Sequence, residues 1–310
     1  MADSQRCVGV DWGTTHRRGH LVVDGTLHGE AADAQGALAA RGRYPAALQE
    51  LIVTLGPTAH GAPVVMSGMV GSAFGWREVP YLSTDVPVTA LHDHLCRLDE
   101  TGPAGEPRFV VPGYADANGG HVDVMRGEEM QLLGAAALGR DDGWFVLPGT
   151  HSKWVRLREG RIERFWTFMT GELYAALLAG GTLASAAGTG ADAWSPEAFD
   201  DGMDAAASNA VPHALFGARA RVVTGRMPAR QLPSYVSGVL VGAEWAQMRR
   251  TWGHAGPPQV MLIGTAELRM RHAHAAGRLG IEIAALEPRD VYVAALAHLQ
   301  RGATEPRKAK

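Results

Sequence analysis

One local pattern occurs twice in this chain, and it restricts the folds the chain can adopt. An apolar run, Val8–Val10, ends at Asp11-Trp12-Gly13-Thr14-Thr15. Residues 17–23 form a second extended segment, Asp24-Gly25 supplies a hairpin turn, and a third strand starts at Thr26. Further along, Trp144–Leu147 runs into Pro148-Gly149-Thr150-His151-Ser152-Lys153, then the strand Trp154–Arg158, the turn Glu159-Gly160 and the return strand Ile162–Phe168. Gly13-Thr14 and Gly149-Thr150 lie 136 residues apart, and Leu21 and Leu157 share that offset. The hairpin turns match after a one-residue slip. The chain therefore reads as a duplicated unit, one copy per half.

Length agrees with two units. At 310 residues the chain exceeds a single typical core, which stops growing near ~250–300 residues. The expected domains are 1–140 and 141–310, with the last helix able to pack back on the first. Lys+Arg number 29 against Asp+Glu 32, so the basic excess that a broad nucleic-acid footprint needs is missing. The basic segment Arg301–Lys310 reads as a frayed terminus. Two cysteines, Cys7 and Cys96, cannot build a disulfide framework or a four-thiolate zinc site, and their scarcity suits a reducing cytoplasm. The first residues, MADSQRC, carry no apolar signal core, and no window holds about 18 uninterrupted apolar residues, so no membrane span is expected. The richest apolar run, Val236–Trp245, is interrupted by Glu244. Glycine is the outlier at 39 residues, about one in eight where ~7% is typical. These glycines follow apolar runs, where a chain turns sharply or approaches a phosphate.

Between the repeats, residues 45–55 predict a helix, with Pro45 in its first turn and Leu48, Leu51, Ile52 and Leu55 on one face. Pro63–Met66 and Arg108–Val111 predict short strands, 99–107 a loop, and Gly127–Leu138 a helix. After the second repeat the pattern is mostly helical. Ser195-Pro196 opens a helix as N-cap and first residue, and 234–250 is a long apolar helix. Gln259–Ile263 is a strand leading to a helix over 266–276; a strand at 281–284 and a helix over 288–300 follow.

Three glycine loops point to phosphate chemistry. Gly13, Thr14 and Thr15 offer turn N–H groups and hydroxyls that can cradle a phosphate, and Asp11 at the strand end can hold Mg²⁺ through its waters. A hairpin with a polar turn explains the same residues without a ligand. Gly149-Thr150 repeats the context, although duplication can preserve a turn for folding alone. Leu147 stands where Asp11 stands in the first copy, so only the first half brings a metal carboxylate. The third loop, Leu262-Ile263-Gly264-Thr265-Ala266, joins a buried strand to a helix and suits a nucleoside contact or an ordinary β–α turn.

The order of these loops resembles the sugar-kinase/hsp70/actin superfamily, and within it the 2-dehydro-3-deoxygalactonokinase family. The resemblance covers nearly the whole chain. It is carried by Val10-Asp-Trp-Gly-Thr-Thr15, Val65-Met-Ser-Gly-Met-Val-Gly-Ser72, Val124-Met-Arg-Gly-Glu-Glu129, Leu147-Pro-Gly-Thr-His-Ser-Lys-Trp154, Phe168-Met-Thr-Gly-Glu-Leu173 and Gly238-Val-Leu-Val-Gly-Ala-Glu244. His16 departs from the small polar residue that the first motif leads one to expect. The resemblance implies an α/β fold of two duplicated actin/ribonuclease-H-like domains, each a mixed sheet flanked by helices, with a cleft between them. It implies ATP-dependent, Mg²⁺-dependent phosphorylation of 2-dehydro-3-deoxy-D-galactonate at its terminal hydroxyl to the 6-phosphate, in galactonate breakdown.

In related sugar kinases the helix start after Val124–Arg126 supplies the catalytic carboxylate. Glu128 matches by position and Glu129 is the alternative, since adjacent helical residues point about 100° apart. Arg126 suits the substrate carboxylate, or an ion pair with one of these glutamates; Arg17 and Arg77 are further guanidinium candidates. Gly68, Met69 and Ser72 belong with the substrate by resemblance, with Met69 also readable as packing. His151, Lys153, Thr170 and Glu172 complete the substrate candidates. Strand alternation alone would turn Lys153 outward, opposite Ser152. Two other activities use such a scaffold: an ATPase switch or assembly module, and an exopolyphosphatase-like phosphatase. A kinase for another 2-keto-3-deoxy sugar acid is also compatible. Expected partners are ATP and the sugar acid; a homodimer stays open.

Overall fold

A computed structural model describes residues 5–117, 119–187, 194–253, 256–257 and 259–304, with side chains to 300. The first four residues and the basic segment 305–310 lie outside these. In chain order the strands are β1 (Arg6–Trp12), β2 (Arg17–Val23), β3 (Thr26–Asp33), β4 (Val64–Gly68), β5 (Leu82–Ser83), β6 (Cys96–Arg97), β7 (Arg108–Val110), β8 (Tyr114–Asp116), β9 (Asp123–Met125), β10 (Gly143–Leu147), β11 (Ser152–Arg158), β12 (Arg161–Phe168), β13 (Gln259–Ile263) and β14 (Glu282–Leu286). The α-helices are α1 (Tyr44–Leu55), α2 (Glu129–Ala137), α3 (Thr170–Ala179), α4 (Gly181–Ala187), α5 (Pro196–Ser208), α6 (Val211–Val223), α7 (Leu232–Trp252), α8 (Ala266–Arg278) and α9 (Pro288–Thr304).

The duplication is visible in the sheets. The first runs β3-β2-β1-β4-β7-β6 and the second β12-β11-β10-β13-β14, so each begins as an antiparallel meander and continues through a crossover strand. β1 pairs antiparallel with β2 and parallel with β4; β10 pairs parallel with β13. Both meander turns put two residues at positive φ, Asp24 (49°) and Gly25 (76°) in one and Glu159 (48°) and Gly160 (71°) in the other. That is the backbone a two-residue hairpin needs to match strand twist.

The chain separates into two compact units, the first of residues 1–143, 155–166 and 286–310, the second of 144–154 and 167–285. In the first unit, α1 lays Leu48, Leu51 and Ile52 against Val8, Val10 and Leu21 of the sheet. A small sheet, β5-β8-β9, is added to it. There α2 packs on α9 so closely that a Cβ on Gly134 would overlap the Val291 carbonyl oxygen. In the second unit, α7 is buried on nearly every side, which suits a helix with no amphipathic period. It meets α5 at glycines: a Cβ on Gly238 would overlap the Phe199 carbonyl oxygen. Ser195 caps α5 as its sequence predicts, accepting from the Ala198 N–H at 3.3 Å. Among the described residues no helix is long and apolar enough to cross a membrane.

Candidate active site

In the first unit three backbone segments touch through glycine. Gly68 ends β4 at φ +83°, and a Cβ there would stand 2.7 Å from the Trp12 carbonyl oxygen. Gly127 precedes α2 at φ +112°, with its missing Cβ 3.5 Å from the Gly68 Cα. This contact gathers the ends of β1 and β4 and the start of α2, hence Asp11 and the two glutamates. Asp11 lies in β1 with Arg18 of β2 and Ser67 of β4 as its register partners. Burial pushes its carboxyl up; Arg18 opposes that shift and the nearby negative charge of Glu128 reinforces it.

Glu128 and Glu129 differ sharply. Glu128, half-buried, holds the N-cap position of α2, and its Oε2 accepts from the Arg126 N–H at 3.1 Å. Glu129 is fully buried; its Oε2 accepts from the Gly127 N–H at 2.6 Å, and its Oε1 has no hydrogen-bond partner. Desolvation first, and the charge of Glu128 second, push Glu129 up to about 8. Its charge is felt by the buried tyrosines Tyr114 and Tyr292. So Glu128 borders Asp11 while Glu129 turns into the core.

Of the guanidinium candidates, Arg126 lies 4.3 Å from the Tyr81 ring centroid and donates from Nη2 to the Val79 carbonyl at 2.6 Å. Its Nε and Nη1 are buried without a hydrogen-bond partner, and Gly71 makes room for Nη1. Arg17 is corrected by the structure: it is 1% exposed, its Nε and Nη2 grip Asp33 at 2.9 and 2.8 Å, and it lies over the Trp12 ring. Its fork is filled from within the fold, so it has none left for a substrate. Arg77 pairs with Asp99 at 3.3 Å on the surface. Met69 begins a short 3₁₀ turn and packs on the core, and the Ser72 hydroxyl donates to its carbonyl at 2.7 Å.

Loop one is held by its carbonyls. Ala37, Leu38 and Gly36 donate backbone N–H bonds to Gly13, Thr14 and Thr15 at 2.9, 3.2 and 3.1 Å. A Cβ on Gly36 would overlap the Thr14–Thr15 peptide, so this approach requires glycine. Thr14 and Thr15 remain exposed.

In the second unit, Gly149, Thr170 and Thr265 line a cavity of about 240 Å³ with Tyr174, Ser237, Glu267 and Arg271. Loop two leans on α3: a Cβ on Gly171 would overlap the Gly149 carbonyl oxygen, and the Glu172 N–H donates to the Thr150 carbonyl at 3.0 Å. Gly149 itself has open space where a side chain would be. Gly264 packs against Pro148 of loop two, and Thr265 caps α8 by accepting from the Leu268 N–H at 3.4 Å. His151 Nε2 meets Glu172 Oε2 at 2.6 Å, and both side chains are about half exposed. Lys153 is 4% exposed rather than outward-facing: the strand alternates as expected, but both faces of β11 are covered.

The residue that sequence reasoning did not assign is Glu244. Mid-way along α7 and 1% exposed, it accepts from Ser152 Oγ at 2.8 Å, Trp154 Nε1 at 2.7 Å and Thr170 Oγ1. Desolvation pushes it up to about 7 against these donors. The signal was present: a carboxylate interrupting the richest apolar run needs partners, whose identity only the fold supplies.

Comparison with known proteins settles the family. The model of the 2-keto-3-deoxy-galactonokinase family matches residues 11–299. The chain belongs to this family. A curated relative, the 2-dehydro-3-deoxygalactonokinase of Escherichia coli (strain K12), is 34% identical over 283 residues, covering 91% of this chain and 92% of the relative. A solved structure from Sinorhizobium meliloti, provisionally named for the same kinase, has a TM-score of 0.85 at 30% identity, covering 95% of this chain and 98% of the other. A Porphyromonas gingivalis structure provisionally named as an N-acetylglucosamine kinase, with a TM-score of 0.50 at 16% identity over 94% of this chain and 98% of its own, shares the fold alone. The α/β fold of this family member is thus that of actin-like sugar kinases, with mixed sheets flanked by helices.

Proposed function

We infer that the protein is a 2-dehydro-3-deoxygalactonokinase, a carbohydrate kinase that uses ATP to phosphorylate its sugar acid. The match to the kinase family across residues 11–299 carries this reading. The glycine loops support it. The cavity beside Gly149 and Thr265, where Gly149 has open space in place of a side chain, suits a nucleoside and its phosphates. Loop one, with exposed Thr14 and Thr15, suits phosphate as well.

Glu128 is our candidate for the base that takes the proton of the terminal hydroxyl; its partial exposure beside Asp11 supports it over the core-facing Glu129. Asp11, a carboxyl strained by burial and by a like charge, suits the neighbourhood of a hydrated Mg²⁺. When bound, that ion would neutralise charge on the transferred phosphoryl group. Arg126 is our candidate for the substrate carboxylate, since its unpartnered Nε and Nη1 are groups an anion would satisfy. His151, Lys153, Glu172 and the Gly68–Ser72 turn remain assigned to the substrate on family resemblance.

Coupled ADP release with and without 2-dehydro-3-deoxy-D-galactonate tests the reading. The kinase requires the sugar acid and discriminates it from other 2-keto-3-deoxy acids. Equal turnover without it would mark an ATPase switch, and phosphate release from polyphosphate would mark the phosphatase.

A further inference from the structure

A carboxylate inside an apolar helix is a poor way to stabilise a core. Replacing such a buried charge by a well-packed apolar residue is often neutral or stabilising, so its retention calls for another explanation. The donors of Glu244 supply one. Ser152 opens β11 two residues after Thr150, and Thr170 opens α3. The two residues that follow Thr170 brace loop two directly, Gly171 against the Gly149 carbonyl and Glu172 by its N–H to the Thr150 carbonyl. Glu244 thus grips both the segment leaving the loop and the segment pressed against it. Its Oε2 takes Ser152 and Trp154, and its Oε1 takes Thr170. An ionised carboxylate accepts at both oxygens and fixes each donor's direction.

We propose that Glu244 is a positioning residue for nucleotide binding, holding Gly149-Thr150 in the shape that receives the phosphates. The proposal rests on the reading of this cavity as the nucleotide site. Glu244 borders the cavity with Ser152 and Thr170, but a carboxylate repels phosphate, so it acts through the donors it holds, Ser152, Trp154 and Thr170. The ligand part it serves is therefore the phosphate chain that Gly149-Thr150 would receive.

The test compares ADP with adenosine binding, by calorimetry and ligand-observed NMR, in the full-length protein. Glu244→Leu, which keeps the volume and removes both acceptors, weakens ADP binding roughly tenfold or more, the scale of lost charge-assisted hydrogen bonds. Adenosine affinity and the KM for the sugar acid change less than about twofold. Glu244→Gln restores most of the loss, because its oxygen still accepts from Trp154 and the hydroxyls can turn to suit the amide. Thr170→Val and Ser152→Ala each weaken ADP binding alone but add little in the Glu244→Leu background. Should Glu244→Leu fail to fold, Thr170→Val in the wild-type and Glu244→Gln backgrounds carries the same comparison.

Unchanged ADP affinity in Glu244→Leu, or in Thr170→Val where that stands in, overturns the proposal and leaves the nucleotide site standing. So does an equal loss of ADP and adenosine, which would mark a merely structural residue. Full additivity of Thr170→Val with Glu244→Leu would show that Thr170 contacts the nucleotide on its own account. If the wild-type protein binds neither ADP nor adenosine, the reading of the cavity fails, and the proposal with it.

Discussion

The two glycine loops share a turn, yet each is held by a different device. Loop one is fixed by three backbone N–H donors from residues 36–38, with Gly36 pressed on the Thr14–Thr15 peptide. Loop two is fixed by one backbone donor, by Gly171 pressed on Gly149, and by a side-chain anchor, Glu244. The strand before loop one ends near a carboxylate, Asp11, whereas the matching Leu147 before loop two is 2% exposed and packed. Duplication kept the element order and the hairpin backbone. What diverged is the company each loop keeps: carboxylates cluster by the first loop, and a buried anchor, Glu244, braces the second.

Four experiments would break or sharpen this contrast. The largest effect belongs to the glutamate pair. Glu128→Gln lowers kcat by roughly 10²–10⁴-fold with ATP KM nearly unchanged, while Glu129→Gln lowers it less than about tenfold. A coupled ADP assay on both variants decides, and reversed magnitudes would move the base into the core.

The next is the asymmetry at the strand ends. Asp11→Asn cuts kcat about 10²–10³-fold with little change in melting temperature, the scale of losing one charge-stabilising group. Leu147→Asn does the opposite, lowering stability by about 1–3 kcal/mol through a buried amide while the remaining folded protein turns over normally. Turnover at saturating Mg²⁺ alongside thermal melts separates them; wild-type rates in Asp11→Asn would erase the asymmetry.

Arg126→Lys is smaller. Losing the planar fork raises KM for the sugar acid by roughly tenfold and leaves ATP KM within about twofold. A sugar-acid KM unchanged from wild type would make Arg126 a brace between Val79 and the start of α2.

The smallest effect is a pH slope. Glu129 binds its proton more tightly in the folded chain, at about 8 against an ordinary 4.5, so the native state holds more protons than the unfolded state across that window. Stability contributed by the protonated group is present at acidic pH and is lost as pH rises through the window. Melting temperatures at pH 5 and 8.5 should fall further in wild type than in Glu129→Gln; equal slopes would remove Glu129 as the source.

Local chemistry made much of this legible in the sequence. Asp24-Gly25 and Glu159-Gly160 announce their turns because few residue pairs tolerate two positive φ angles; Pro45 announces a helix start by the N–H it lacks and Ser195 by the hydroxyl that accepts. The pieces that escaped depend on partners far along the chain. β5, β8 and β9, at two or three residues each, are too short for any period to register. Arg17 beside loop one looked available until Asp33, 16 residues on, filled its fork. Lys153 obeys strand alternation, but alternation does not say that the second face is also covered. Glu128 and Glu129 are neighbours in sequence; only the start of α2 at Glu129, two residues later than the sequence suggested, tells which one leaves the core.

The close seat of α9 on α2 has a temporal consequence. The helix that carries Glu129 lies in the first half of the chain, but the surface that covers it, with Val291 over Gly134 and Tyr292 beside Ser67, is translated more than 150 residues later. During synthesis the first unit therefore waits, with α2 uncovered and a buried-to-be carboxylate still in water, until almost the whole polypeptide has emerged. The second unit's helices, contiguous in sequence, need no such wait. A ribosome would thus deliver the two halves in reverse order of completion, the later-made cavity consolidating before the earlier-made carboxylate cluster.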